Sequence, residues 1–207
     1  SAFLSTAPII SGSPITSISE ESNYYFMPTA LDEDPGQTAS LVFSISNLPS
    51  WASFDVNTGQ LSGSLDDTDI GTYTGIVITA TDVDGLSASL PAFDITVNNF
   101  NDAPTISGLP AATSLEDSLY SFTPTVSDED SADLSAMSVS AINLPSWLSL
   151  NSSTGTISGT PNNSDVGLYN NIQLQVTDPG GKSAQLPAFT IIVMNINDAP
   201  VISGSAN

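Results

Sequence analysis

Along this chain apolar residues alternate with polar ones in short runs, and clusters of Gly, Pro, Asn and Asp separate the runs. Period two sends successive side chains to opposite faces, so the pattern predicts half-buried β-strands from end to end. A first strand is expected over 9–17. A second covers 24–30 with Tyr24 and Phe26 inward, and a third covers 41–46 with Leu41, Phe43 and Ile45 on one face. Trp51 and Phe54 mark a fourth and Leu61 a fifth. Ile76, Ile78 and Ala80 mark a sixth, and Phe93, Ile95 and Val97 a seventh. No stretch has the period of a long amphipathic helix, and the 14 prolines and 14 glycines belong to turns.

The pattern then repeats. At an offset of 96 positions Asn47-Leu48-Pro49-Ser50-Trp51 falls on Asn143-Leu144-Pro145-Ser146-Trp147, and Leu90-Pro91-Ala92-Phe93 falls on Leu186-Pro187-Ala188-Phe189. The segment Asn101-Asp102-Ala103-Pro104 recurs as Asn197-Asp198-Ala199-Pro200 without a gap. Solenoid units run to about 20–50 residues and cannot bury their own core, whereas this repeat is the size of a domain. The expectation is all-β: two tandem seven-stranded sandwiches of immunoglobulin type, over 6–101 and 102–197, joined end to end by a short linker. Residues 198–207 are expected to open a further linker or repeat.

Composition narrows the chemistry. There is no Cys and no His, and Lys182 is the one basic residue against 22 acids. Disulfides, thiolate or imidazole metal sites and a Ser-His-Asp triad are excluded. A net charge of −21 repels nucleic acid and anionic lipid. No apolar run is long enough to span a membrane, so neither nucleic acid nor membrane insertion is expected of this fragment.

The acids are not scattered. Sixteen of the 22 fall on another acid at the 96-residue offset, and nearly all lie in predicted loops. Antiparallel strands send successive loops to alternate ends of a sandwich. Glu20, Glu21, Asp66, Asp67 and Asp69 therefore share one end of the first copy with the linker residues Asn99, Asn101 and Asp102. Asp32, Glu33, Asp34, Asp82 and Asp84 share the other. In the second copy Asp128, Asp130 and Asp178 take that second position. Stacked end to end, the copies would bring Glu20, Glu21, Asp66, Asp67, Asp69 and Asp102 against Asp128, Asp130 and Asp178. Two like charges at about 4 Å repel by about 4 kcal/mol at an effective dielectric of about 20. A cation is expected there. Ca²⁺ suits the donors best, since it takes about six to eight oxygens in flexible geometry, while Mg²⁺ demands a stricter octahedron.

The string Leu144-Pro145-Ser146-Trp147-Leu148-Ser149-Leu150, Thr154-Gly155-Thr156-Ile157-Ser158-Gly159-Thr160-Pro161, Asp165-x-Gly167-x-Tyr169 and Val176-Thr177-Asp178 resembles the putative-Ig, or dystroglycan-type cadherin-like, domains of bacterial surface or secreted proteins. The first copy carries the same string with Ser64-Leu65 in place of Thr160-Pro161. It is also similar to cadherin repeats, which implies calcium at module junctions. The resemblance maps their early glutamate to Glu20 or Glu21, their Asp-x-Glu loop to Asp67-x-Asp69 and their linker to Asn99-x-Asn101-Asp102. Their Asp-x-Asp loop maps to Asp128-x-Asp130 and their late aspartate to Asp178. Asn99 stands where the linker motif has Asp, and Ala103 where it has Asn. Asp32, Asp34 and Asp82, preceded by Thr6 in place of the linker Asp, form a weaker half-site. So do Glu116, Asp117, Asp165 and Asp198.

The function implied is a non-enzymatic, calcium-binding extracellular adhesion module at the cell surface or in a secreted protein. Its partners are neighbouring cadherin-like modules of the same chain, and cell-surface glycans or proteins. The alternative is a calcium-dependent carbohydrate-binding module, with Tyr25 or Phe100 as a stacking face. Trp51 and Trp147 sit inside apolar runs and are expected in the core. Gly181-Lys182-Ser183 lacks the earlier glycine of a phosphate loop, and Asp82-x-Asp84-Gly85 lacks the frame of an EF-hand.

Overall fold

The computed structural model describes residues 4–204 and divides into two compact units, one ending at Phe100 and the other beginning at Asn101. In the first unit the strands are β1 (Ile9–Ser11), β2 (Ser17–Ser19), β3 (Asn23–Phe26), β4 (Thr29–Leu31), β5 (Val42–Ser46), β6 (Ser53–Phe54), β7 (Leu61–Ser64), β8 (Gly71–Thr81), β9 (Ser87–Ser89) and β10 (Phe93–Asn98). The order β2-β10-β8-β5, with β9 also on β8, forms one sheet. The order β3-β7-β6 forms the second, and β1 pairs with β4. All pairs are antiparallel except β2 with β10. This is the two-sheet sandwich expected.

The second unit repeats it with β11 (Thr105–Ser107), β12 (Thr113–Leu115), β13 (Tyr120–Phe122), β14 (Thr125–Ser127), β15 (Ser138–Ile142), β16 (Ser149–Leu150), β17 (Ile157–Gly159), β18 (Gly167–Thr177), β19 (Ser183–Gln185) and β20 (Phe189–Met194). The sheets are β12-β20-β18-β15 with β19, β13-β17-β16, and β11-β14.

Ten segments trace seven strand paths, because the first, second and last paths of each copy are broken. Pro14, Pro28 and Pro91, with Pro110, Pro124 and Pro187 after them, sit in the breaks. Proline has no N–H to give a ladder. Gly12 turns the first path at φ +148°, where a Cβ would meet the Phe26 ring at 2.9 Å; Gly108 does the same against Phe122. The chain can thus leave one sheet as β1 and join the other as β2.

Each core sits between the sheets. The alternation in β8 buries Ile76, Ile78 and Ala80, and β18 buries Ile172, Leu174 and Val176. Leu61, Ile95, Ile157 and Ile191 are likewise fully enclosed. Each such aliphatic side chain contributes about 1.5–3 kcal/mol relative to exposure. Trp51 packs edge-on against Tyr24 and Tyr73, and Trp147 against Tyr120 and Tyr169. Both indoles are core residues. Tyr24 donates its hydroxyl hydrogen to Ile15 O at 2.9 Å, and Tyr120 donates to Ala111 O at 2.9 Å, tying the broken first path back onto β3 and β13.

Two predictions follow from the packing. A Cβ on Gly63 would lie 2.5 Å from Trp51 O, and one on Gly159 would collide with Trp147 O. Gly63→Ala and Gly159→Ala should each destabilise the unit concerned by about 2–3 kcal/mol, read by denaturant unfolding. Burial pushes both Tyr24 and Tyr120 up to about 12. An unfolded phenol ionises near about 10, so the unfolded chain releases these protons first. Stability should therefore fall as pH rises between about 10 and about 12, and two phenols should titrate late by ultraviolet absorbance.

Candidate metal centre

In the second unit three segments meet at one end. Asn101 and Asp102 open the unit, Asp128 and Asp130 follow β14, and Asp178 terminates β18, the longest strand. Asp128, Asp130 and Asp178 each use an oxygen to hold the loops. Asp102 N–H donates to Asp130 Oδ2 at 2.7 Å, and Asp130 N–H donates to Asp128 Oδ1 at 3.1 Å. Asp178 accepts from Lys182 N–H at 2.8 Å and from the Asn101 amide at 3.1 Å. Asp102 Oδ2, Asp128 Oδ2 and Asp130 Oδ1 are then buried with no hydrogen-bond donor. Asp130 is only 6 % exposed and Asp178 5 %.

A residue the recurrence test passed over completes the group. Asp133 opens a single 3-10 turn, Asp133–Ser135, and its carboxylate lies with those of Asp128 and Asp178 so that one oxygen from each falls within 4.8 Å of the others. Desolvation, then the charges of Asp130, Asp128 and Asp178, hold its carboxyl above the ordinary range. Asp133 matches Gln37 at the 96-residue offset, so a search for recurring acids misses it. The spacing Asp128-x-Asp130-x-x-Asp133 within one loop is the signal that could have found it.

These donors fit Ca²⁺. Oxygens bound at about 2.4 Å on opposite sides of an ion stand about 4.8 Å apart, and the set is all hard oxygen. Buried carboxylate oxygens without donors are rare in folded proteins, and a bound ion is one of the explanations they call for.

The matching end of the first unit is built alike. Thr6 N–H donates to Asp34 Oδ2 at 2.8 Å, in the place of Asp102, and Asp34 N–H donates to Asp32 Oδ1 at 2.8 Å. Asp82 Oδ1 accepts from Asp84 N–H and Leu86 N–H at 2.9 and 2.8 Å. Ser5 and Gln37 both donate to Asp84.

The opposite end of each unit differs. Glu20 is enclosed and accepts from Phe100 N–H at 2.6 Å, whereas Glu21 is exposed with φ +57°. Glu20 is therefore the inward member of that pair. Asp66 accepts from Thr68 N–H and Oγ1, and its own N–H donates to Asp69 Oδ2 at 3.0 Å, a capping box for the turn Asp67–Asp69. The Thr68 hydroxyl and N–H keep Asp66 below the usual carboxylate range. Asn162 and Asp165 make the same box in the second unit, and in the first the cap occupies Asp66 Oδ1 and Asp69 Oδ2. Asp67 is half-buried and Asn99 exposed. Beyond β20, Glu116 Oε1 accepts from Ile196 N–H, Glu116 Oε2 is buried without a donor, and Asn163 donates to Asp198 at 2.9 Å. Asp117 repeats the left-handed backbone of Glu21. Tyr25 and Phe100 lie at the surface.

Fold and donor set together define a tandem pair of cadherin-like β-sandwiches. The chain belongs to the family described as Putative Ig domain, which matches residues 7–98 and 103–194. Solved structures with this fold include extracellular cadherin domains 1–5 of protocadherin gamma B2, at TM-score 0.58 and 18 % identity over 92 % of this chain and 40 % of that one. Mouse cadherin-23 EC22–24 gives 0.52 and 20 % over 92 % and 65 %, and human protocadherin-24 EC1–2 gives 0.50 and 18 % over 94 % and 100 %. The chain thus spans less than two thirds of the first two. No curated protein matches it. No helix among the described residues is long and apolar enough to cross a membrane.

The buried Glu116 gives a prediction. Glu116→Ala removes the acceptor of Ile196 N–H and should cost the second unit about 1–3 kcal/mol in calcium-free denaturant unfolding. Glu116→Gln keeps a carbonyl acceptor and should cost clearly less.

Proposed function

We propose that this chain is a calcium-binding adhesion module of extracellular type, non-enzymatic, whose bound ions stiffen a tandem array. The observation that carries the reading is the end of the second unit. There Asp102, Asp128 and Asp130 bury oxygens with no donor, beside the converging oxygens of Asp128, Asp133 and Asp178. When bound, Ca²⁺ supplies the positive charge this acidic chain lacks.

The chain's own residues do the rest. Asn101 and Asp102 are hydrogen-bonded to Asp178 and Asp130, so the start of the second unit is tied to the loops that bear the donors. Glu20 holds the Phe100 N–H, two residues before Asp102. Glu20, with Glu21, Asp66, Asp67, Asp69 and Asn99, is read as a donor set at that end of the first unit. Filling these positions would restrain the chain between Phe100 and Asp102. Extracellular modules bind calcium at about 10⁻⁴–10⁻³ M, a range that is filled outside cells and empty inside them. A surface or secreted setting follows from that.

Calorimetric titration of the chain with Ca²⁺, paired with small-angle scattering, tests this. Saturable binding in that range and a narrower distribution of particle dimensions with calcium than with chelator are expected. Asp102→Ala should weaken binding about tenfold or more and broaden the distribution, with an unchanged circular dichroism spectrum. No saturable heat, together with identical scattering in calcium and chelator, would overturn the reading.

A further inference from the structure

One region of the large sheet's outer face changes character between the copies. In the second unit Leu168 of β18 pairs across the ladder with Ile192 of β20. Met194, two residues further along β20, pairs with Leu115 of β12. Paired and alternate positions share a face, so these four side chains form one block over three adjacent strands. All are exposed: Leu115 43 %, Leu168 60 %, Ile192 43 % and Met194 42 %. At the 96-residue offset the same positions are Ser19, Thr72, Thr96 and Asn98. There the Thr72 and Thr96 hydroxyls lie 3.2 Å apart, and the Asn98 amide donates to Ser17 Oγ at 2.9 Å. The sandwich therefore forms with polar residues at all four places, and the fold does not require the apolar ones. Scattered exposed aliphatics are ordinary, but an adjoining set marks a surface that meets something. A following module does not account for it, because the first unit has one and is polar there.

Charge selects the occupant. The chain carries a net charge of −21, yet none of β12, β15, β18, β19 and β20 contains an Asp, Glu or Lys. In the first unit β10 carries the exposed Asp94 where β20 has Thr190. A basic partner would gain most on the acid-bearing surfaces. A chain of like charge comes close only where no carboxylate opposes it. We infer that this face is the meeting surface of two copies of the chain, second unit against second unit, with Leu115, Leu168, Ile192 and Met194 at its centre. In a two-fold contact one patch serves both sides, and an apolar block is its own complement. Strands about 4.8 Å apart, the longest about 36 Å, give the face an extent of about 500 Å². Two such faces bury about 1,000 Å², the lower limit of a specific interface, so the pairing is weak and reversible. This surface is independent of the calcium reading, since none of the four side chains carries a donor oxygen.

Sedimentation velocity of the whole chain in chelator, over a concentration series, reads the pairing. A reversible monomer–dimer equilibrium is expected. It should tighten between about 0.05 M and about 0.5 M NaCl, because salt screens the repulsion between two acidic chains. Leu168→Thr with Ile192→Thr reproduces the pair that already folds as Thr72 and Thr96, and should weaken the dimer about tenfold or more. Val42→Ser removes an aliphatic side chain 55 % exposed on the first unit, and should leave the dimer unchanged. In ¹H–¹⁵N spectra, dilution should move the amides of Leu168 and Ile192 and leave those of Thr72 and Thr96 in place. A chain that stays monomeric at about 1 mM in both salts overturns the inference. So does a dimer that loosens as salt rises, one that survives the paired threonine change at full strength, or one that Val42→Ser weakens equally.

Discussion

A carboxylate oxygen shut away from water with nothing donating to it raises the free energy of a fold, and this protein repeats the arrangement in both copies. Asp128 and Asp130 have it in the second unit and Asp32 and Asp82 in the first, always with one oxygen satisfied by backbone N–H and the other bare. The satisfied oxygens shape the loops. The bare ones leave an acceptor unmet, in a chain whose one basic side chain is Lys182.

The sandwich sets where those loops begin. Asp82 and Asp178 follow directly on the two eleven-residue strands, which bury Ile76, Ile78 and Ala80 in one unit and Ile172, Leu174 and Val176 in the other, so their backbone is anchored in each core. Asp32 and Asp128 leave β4 and β14, short strands set apart from β3 and β13 by Pro28 and Pro124. The prolines that break the strand paths let the chain change partners just before each Asp-x-Asp loop.

Much of this was legible in the residues. The alternation identified every inward-facing aromatic and aliphatic side chain named from it, and recurrence at 96 positions picked out the acids that the two copies share. Asp94 proves to accept from Gly75 N–H at an irregular step between β8 and β10, a task with no counterpart in the second copy, where Thr190 stands. Other assignments were beyond pattern alone. Asp66 and Asp69 were expected as ligands, and each also gives an oxygen to a capping box, because an acid beside a helical turn can serve either purpose. Asp133 went unnamed from the sequence and lies with Asp128 and Asp178, because recurring acids were the guide and its counterpart at the 96-residue offset is Gln37.

The linear order of residues determined by itself that there are two β-sandwiches, that their cores are built from alternate positions, and that their acids gather in loops at the ends. These are consequences of period two and of antiparallel reversal, which are local or combinatorial. Which oxygens face each other, which of Glu20 and Glu21 turns inward, and which acids are spent on capping were decided only by the tertiary structure. Those outcomes depend on separations of a few ångströms between segments tens of residues apart, and no spacing along the chain encodes such a distance.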